Sequence, residues 1–530
     1  MALELIKTDT VLDDPILELN GATGVATFSV GGKTFVAVTG FVDDGVSLFA
    51  VNGDGTLTNV ANITDTSLFA LDQAVRVVAA EVGDTTFLFV TGDEDDGVNV
   101  FAVHADGTLV NVDTVVDAGA LELNGPQSVT SATFGGTTYL FVGGFFDDGV
   151  SVFAVGADGS LTNVDNVDNA AHVDHELIGV IDLTTAVVSG SVYLFAAGQF
   201  DNGVSVFHVA PDGTLTHVDS VDDSDDLAFE IEGAFDITTA KIGASTYLFV
   251  AGFSDDGISV FSVAADGTLT HVDNVDNADD PGHELALVRG LSTAVVDGVT
   301  YLLATGGFQN HTVNIFSVAD DGTLTYLANL GHDEEPALLG AGSTTTTVID
   351  GVPHLFAPTS GGNHGVSVFR LEHNGVTLEG TNAGETLTGT EWDDTLLGKK
   401  GNDKLKGLEG DDLLDGGKGQ DKLIGGDDVD TFRFSAGVKK KHADTIKDFE
   451  VGVDTIALDS AVFAAFGPGE LNPSFFDFGK KADSGKDRIL YQEDKGWLRY
   501  DFDGKGGADA VKFAKIGKNL ALSADDFLVM

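Results

Sequence analysis

The chain has 530 residues with 84 acidic against 27 basic side chains, a formal net charge of −57. A polyanion of this kind is repelled by nucleic acid and by anionic membrane surfaces. It contains no cysteine, which removes disulfides and thiol chemistry, and no apolar run approaches the length of a membrane span. Its opening, MALELIKTDT, has neither the basic nor the apolar region of a secretory signal peptide.

Residues 1–379 carry a long internal period. The Gly that opens a GVxxF element falls at Gly45, Gly97, Gly149, Gly203 and Gly257, is replaced by Thr312 and returns at Gly365, at intervals of 52, 52, 54, 54, 55 and 53. Seven copies near this length predict an all-β domain of seven propeller blades, each with four strands. In the third copy alternation and turn residues place strands at 128–135, 137–145, 149–156 and 161–167. The seventh copy lacks a fourth strand. The missing piece stands at the other end, because Leu3 to Asp14 precedes ILELNG as Leu109 to Gly119 precedes ALELNG. The N-terminal segment is therefore expected to supply the outer strand of the last blade and to close the ring.

Charge is concentrated in this region. Residues 1–380 hold 55 acidic side chains against six basic ones, Lys7, Lys33, Arg76, Lys241, Arg289 and Arg370, a net of −49. Solubility in high salt and self-repulsion of a chain that travels unfolded both account for such acidity. Some acids nevertheless stand in register: Asp43-Asp44, Asp95-Asp96, Asp147-Asp148, Asp201-Asn202 and Asp255-Asp256 at one turn, and Glu18, Glu122, Glu176, Glu230 and Glu284 at another. The aspartates suit tight turns. The glutamates form a candidate cation ring on one face of the propeller. His175 and His283 precede two of them, and the sixth and seventh copies break the pattern with His311, His332, Asn363 and His364.

Six nine-residue units follow from Gly380 to Arg433: GTNAGETLT, GTEWDDTLL, GKKGNDKLK, GLEGDDLLD, GGKGQDKLI and GGDDVDTFR. Each opens with Gly, position six is Glu385, Asp394, Asp403, Asp412, Asp421 and Asp430, and position eight is Leu or Phe. A six-residue turn plus a three-residue strand needs two units per coil, so residues eighteen apart stack at a strand spacing of ~4.8 Å. Asp394, Asp412 and Asp430 then make one column, and Glu385, Asp403 and Asp421 the other. An ion midway between carboxylates ~4.8 Å apart meets both at about 2.4 Å, the distance calcium prefers. Gly398, Gly401, Gly407, Gly410, Gly416 and Gly419 are expected to give the turns the positive φ that aims carbonyls at the ion. Without metal, like charges at that spacing repel by about 1 kcal/mol in water and more at lower dielectric, so binding and folding are expected to be one event.

This run resembles the nonapeptide repeat of RTX proteins, which winds into a calcium-loaded parallel β-roll. Against the family pattern the first unit has Glu385 for Asp and Ala383 for Gly, and Lys399, Lys400 and Trp392 also depart, leaving about three well-formed sites. The resemblance implies calcium as cofactor and an extracellular location, reached through a type I secretion channel with an uncleaved C-terminal signal. Residues 435–530, including His442 to Phe463, Asp487 to Ile516 and the closing LSADDFLVM, look like the flanking domain and secretion segment of that family. Phe527 to Val529 also suits a strand that caps the roll.

The element GVSVFAVGADGSLTNV (residues 149–164) looks like the blades of the seven-bladed lactonase family. That family is usually catalytic through Arg, His and Glu in the central mouth, where Arg76 and Arg289 are the candidates here. Neither lies in a matching motif, so no catalytic residue is carried over. The preferred expectation is a secreted binding, adhesion or structural scaffold with a calcium-folded tail, with cell-surface glycan or further copies of the chain as partners. A lactonase-like hydrolase is the alternative.

Overall fold

The computed structural model describes all residues except 1, 173, 227–228, 278–282, 307–311, 331–337, 339, 362–363 and 391, and the side chains of 2, 374 and 440. His311, His332 and Asn363 lie outside the described residues. The chain divides into two compact units, Leu3–Glu372 and His373–Met530.

The first unit consists of seven four-stranded antiparallel sheets, the blades of a propeller. Blade 3 is representative, with strands Pro126–Phe134, Thr137–Gly144, Gly149–Val155 and Leu161–Asp168 running from the inner strand a to the outer strand d. Their alternation buries one Phe per blade on strand c (Phe49, Phe101, Phe153, Phe207, Phe261, Phe316 and Phe369), each no more than 1% exposed. A second apolar plug sits in the connector before each strand a: Leu19, Leu71, Leu123, Leu177, Ile231, Leu285 and Leu338 are fully buried. In blade 7 the inner strands Thr345–Ile349, Val352–Thr359 and Gly365–Asn374 are completed by Ala2–Leu12, the first strand of the chain.

Neighbouring blades are joined by aspartates that accept backbone N–H groups. On strand d, Asp113, Asp165, Asp219 and Asp273 accept from Leu161, Leu215, Leu269 and Leu324 of the next blade, each at 2.7 Å. Asp9 on the N-terminal strand makes the same bond to Leu57 of blade 1 at 2.7 Å, so the ring closes with the device used around it. A β-bulge opposite the strand c Phe adds a residue just before these aspartates, as between Val152 and Phe153, and re-aims the side chain toward the next blade. The turn between strands b and c works similarly. Asp44, Asp96, Asp148 and Asp256 adopt φ of 50 to 59°, a region in which Asp is tolerated, and accept from Gln73, Gly125, Gly179 and Leu287 at 2.8 to 2.9 Å.

The second unit contains two parallel stacks. Thr377–Glu379, Thr395–Leu397, Leu413–Asp415, Thr431–Phe434 and Thr455–Leu458 form one, and Thr386–Thr388, Lys404–Leu408, Lys422–Gly426 and Asp444–Ile446 the other. Leu396 lies against Leu414 and Leu405 against Leu423, the eighteen-residue register of a β-roll with two units per coil. Leu396, Leu405, Leu414, Leu423 and Phe432 are fully buried and continue into a core that includes Phe463, Tyr491, Leu498 and Phe513. The strand Phe527–Val529 pairs in parallel with Thr455–Leu458 and extends the first stack.

Removing residues 2–12 should strip blade 7 of its outer strand and break the Asp9 link to blade 1. Calorimetry is expected to show the propeller melting at least ~10 °C below the full chain.

Candidate calcium centre

In the roll each position-six aspartate turns one oxygen back along its column. Asp412 Oδ1 accepts from the Asp394 N–H at 2.8 Å and Asp430 Oδ1 from Asp412 at 3.2 Å, while on the other edge Asp403 accepts from Glu385 at 2.8 Å and Asp421 from Asp403 at 2.7 Å. Asp394, Asp403, Asp412, Asp421 and Asp430 are all no more than 2% exposed. The second oxygen is the informative one. Oδ2 of Asp403, Asp412 and Asp421 is buried with no hydrogen-bond partner. A buried carboxylate oxygen without a donor costs several kcal/mol unless a cation meets it. Oxygen donors paired along a column with carbonyl-bearing turns suit calcium, a hard ion that takes six to eight oxygens.

The glycines serve the columns in two ways. Positive φ is confined, among the six expected glycines, to Gly401 (144°) and Gly410 (92°). At Gly407 a Cβ would fall on the Asp412 carboxylate, and at Gly416 it would stand 2.7 Å from Asp421 Oδ2. At Gly398 the Asp403 Oδ2 is 2.9 Å from the Cβ position, and at Gly419 a Cβ would meet the Gly401 carbonyl. Four of the six are therefore required by space rather than by φ, because turn and carboxylate are packed against each other. Glu385 is different. Its longer side chain caps its own turn, accepting from Thr381 N–H at 2.6 Å and Thr381 Oγ1 at 2.7 Å.

Two aspartates extend the columns beyond the nonapeptides. Asp444 accepts from Asp421 N–H at 3.0 Å and Asp454 from Asp430 N–H at 3.1 Å. They stand 23 and 24 residues further on, since longer turns interrupt the period. The signal that finds them is local: Asp444-Thr445-Ile446 and Asp454-Thr455-Ile456 repeat Asp394-Thr395-Leu396.

Burial first, and like charges along the column, push Asp412 up to about 7 and Asp430 up to about 8. Asp444 is raised too, by burial and then by Asp421. Without metal these carboxyls keep protons that the unfolded chain releases near pH 4. The metal-free roll therefore loses stability as pH rises from about 4 to about 8, whereas a bound cation favours the ionised form.

On the propeller, Glu18, Glu122, Glu176, Glu230 and Glu284 each lie within their own blade. Glu18 and Glu122 stand over Gly45 and Gly149, which open strand c, with Oε2 2.8 Å from the Cβ position. The N–H groups of Glu18, Glu122, Glu176 and Glu230 donate to Ser47, Ser151, Ser205 and Ser259 of strand c at 2.7 to 2.8 Å. Burial first, then that blade's own aspartates, push Glu122 and Glu176 up to about 7. His283 packs on Tyr326 and His175 on His217. His364 Nδ1 accepts from Gly21 N–H at 3.0 Å, linking blade 7 to blade 1.

The inner strands begin at a recess of about 160 Å³ that includes Arg76, Gln127, Phe235 and Arg289. Arg289 lies over the rings of Phe235 and Phe253 at 5.2 and 5.5 Å. Asp182 and Asp236 stand at the Arg76 position of blades 4 and 5, and their oxygens accept from Ile237 at 3.0 Å and Leu291 at 3.1 Å. Burial raises both carboxyls, and the Arg76 charge opposes that rise.

Two outcomes are expected. Calcium uptake at pH 7 should release protons, measured calorimetrically in buffers of different ionisation enthalpy, and in chelator the melting of the roll should fall between pH 5 and pH 8. Gly407→Ala should displace the Asp412 carboxylate and raise the calcium concentration needed for folding by ~10-fold or more, read by circular dichroism.

Comparison with known proteins places these observations. No curated protein matches the chain. Among solved structures, a Bacteroides uniformis protein provisionally assigned as a 6-phosphogluconolactonase aligns at 18% identity and a TM-score of 0.45, over 60% of this chain and 88% of its own. The periplasmic gluconolactonase of Pseudomonas aeruginosa aligns at 17% identity and a TM-score of 0.44, over 58% and 85%. Nothing about activity follows from likeness at that level. The roll is matched directly, in windows 379–414, 388–423 and 397–432, by the model of the RTX calcium-binding nonapeptide repeat. Such repeats bind calcium and imply type I secretion, and residues 379–432 of this chain are RTX calcium-binding nonapeptide repeats.

Proposed function

We propose that the protein is an extracellular binding scaffold, exported unfolded through a type I channel, whose RTX unit folds when it meets calcium outside the cell. The observation that carries this reading is the buried, donorless Oδ2 of Asp403, Asp412 and Asp421. It ties the folded roll to a dication available at millimolar concentration outside cells and scarce within them. The propeller presents a surface of high negative charge, and its aspartates in register are engaged in holding blades together. Cell-surface glycan and further copies of the chain are the partners this reading favours.

A second reading, a lactonase-like hydrolase, is favoured by one feature. Arg76 and Arg289 meet at the central recess, with Asp182 and Asp236 within the influence of Arg76. One assay separates the two. Purified full-length protein in calcium is offered a panel of lactones and, separately, cells and immobilised glycans. Retention on cells or glycans, lost in chelator and without lactone turnover, is the expected result. Turnover that Arg76→Ala or Arg289→Ala reduces by ~100-fold or more would establish the hydrolase instead.

A further inference from the structure

Blade 4 carries a cluster that, among the described residues, no neighbouring blade repeats. Its strand d is Leu215–Asp222, and the connector leading into its strand a, Val180–Val188, begins with a short 3₁₀ turn at Asn169–Ala171. His172 ends that turn, His175 follows in the connector, and His217 stands on strand d. One ring nitrogen from each can be chosen so that all three lie within 4.8 Å of one another. The ring centroids are 4.9 Å apart for His175 and His217, and 5.5 Å for His172 with each of the others.

The hydrogen bonds determine which nitrogens are available. His175 Nδ1 lies 2.9 Å from the Asp168 carbonyl, which can only accept, so Nδ1 carries the proton and Nε2 keeps its lone pair. This is the arrangement that orients an imidazole for a metal. His217 Nε2 is buried and has no hydrogen-bond partner. His172 lies on the exposed side, and its Nδ1 accepts from the Asp174 N–H at 3.2 Å and so holds a lone pair, with Asp174 Oδ2 3.5 Å away. The Asp174 carbonyl in turn accepts from Ser220 Oγ at 2.7 Å, tying this loop to strand d.

Blades 5 and 6 supply an internal control. In all three blades the connector residue packs on a strand d ring above the strand c Phe. The pairs are His175 and His217 over Phe207, Phe229 and His271 over Phe261, and His283 and Tyr326 over Phe316. Packing alone is thus satisfied by Phe or Tyr. His283 even repeats the bond of His175, with Nδ1 2.9 Å from the Asp276 carbonyl, but it faces Tyr326. His271 repeats the partnerless Nε2 of His217, but it faces Phe229. Among the described residues, only in blade 4 do two imidazoles face each other, one of them oriented by a carbonyl, with a third beside them.

We propose that His172, His175 and His217 form a binding site for a divalent transition metal of the zinc class, separate in chemistry from the calcium roll. Imidazole suits zinc, copper and nickel, whereas calcium takes oxygen ligands. Three nitrogens at about 2.0–2.1 Å from one tetrahedral zinc stand roughly 3.4 Å apart. The exposed His172 closes the remaining gap by side-chain rotation. The fourth position faces solvent on the His172 side, and Asp174 supplies negative charge beside the dication. Bound metal pins the connector to strand d in this blade.

The test uses the full chain in millimolar calcium, which keeps the roll folded and its carboxylates occupied. Zinc is titrated by calorimetry, and cobalt(II) is added as a spectroscopic probe of nitrogen ligation. One saturable zinc per chain is expected, with the visible bands of a four-coordinate cobalt site. His175→Phe and His217→Asn install the residues that other blades carry at these positions, Phe229 and Asn163, and His172→Ala changes only an exposed side chain. Each should weaken zinc binding by ~100-fold or more, beyond the loss seen for orienting groups. His271→Asn should leave it unchanged. Absence of saturable zinc binding, or zinc binding unaltered in well-folded His175→Phe, His217→Asn and His172→Ala proteins, overturns the proposal. Should one core variant fail to fold, His172→Ala and the other decide the matter.

Discussion

The hydrogen bond from a backbone N–H to an aspartate oxygen, repeated at the period of the chain, underlies both units. In the propeller it runs between blades, from Leu161 to Asp113, from Leu215 to Asp165 and, at the closure, from Leu57 to Asp9. In the roll it runs between coils, from Asp394 to Asp412 and from Asp403 to Asp421. Hydrogen bonds to a charged acceptor contribute ~1.5–3 kcal/mol each, more than neutral ones. Much of the acidity of this chain is therefore structural.

The two units differ in what happens to the other carboxylate oxygen. In the roll the carboxylates are stacked along a column and sealed, so Oδ2 of Asp403, Asp412 and Asp421 meets no donor. Such a column is stable when protonated or when a cation neutralises it, and calcium is the cation that these repeats bind. In the propeller the acids are divided among the corners of separate blades, where Asp13 Oδ1 and Asp168 Oδ1 are buried without a partner but many others accept from backbone or hydroxyl donors. Glu18, for example, accepts from Thr64 Oγ1 at 2.5 Å. The same residue type thus lines stacked columns suited to calcium in one unit and holds blades together by hydrogen bonds in the other.

Blade number and roll register were legible because each is a period in the chain, and the buried strand c Phe keeps that period in all seven blades, while the connector plug is Leu in six of them and Ile231 in the fifth. The closing strand was legible too, since Leu3 to Asp14 repeats a segment found in blade 2. Asp444 and Asp454 were not, because longer turns displace them from the eighteen-residue spacing while leaving them in the same columns. The role of the glycines was only half visible. Spacing marked Gly407 and Gly416, but the reason, a carboxylate lying where a Cβ would go, depends on how turn and column pack.

By itself the sequence determined the repeats, because a coil or blade that stacks on its own copy must present the same apolar and acidic residues at each turn. It also determined the metal class of the roll, since oxygen donors at strand spacing match calcium. Tertiary structure alone decided which groups meet across long intervals. The strand d aspartates find their N–H partners 48 to 51 residues away, in the next blade. His217 reaches His175 across a whole blade, and its difference from His271 lies in the residue opposite. The physical reason is that a period specifies where copies stand along the chain, while donor, acceptor and ligand geometry depends on pairs that only packing brings into contact.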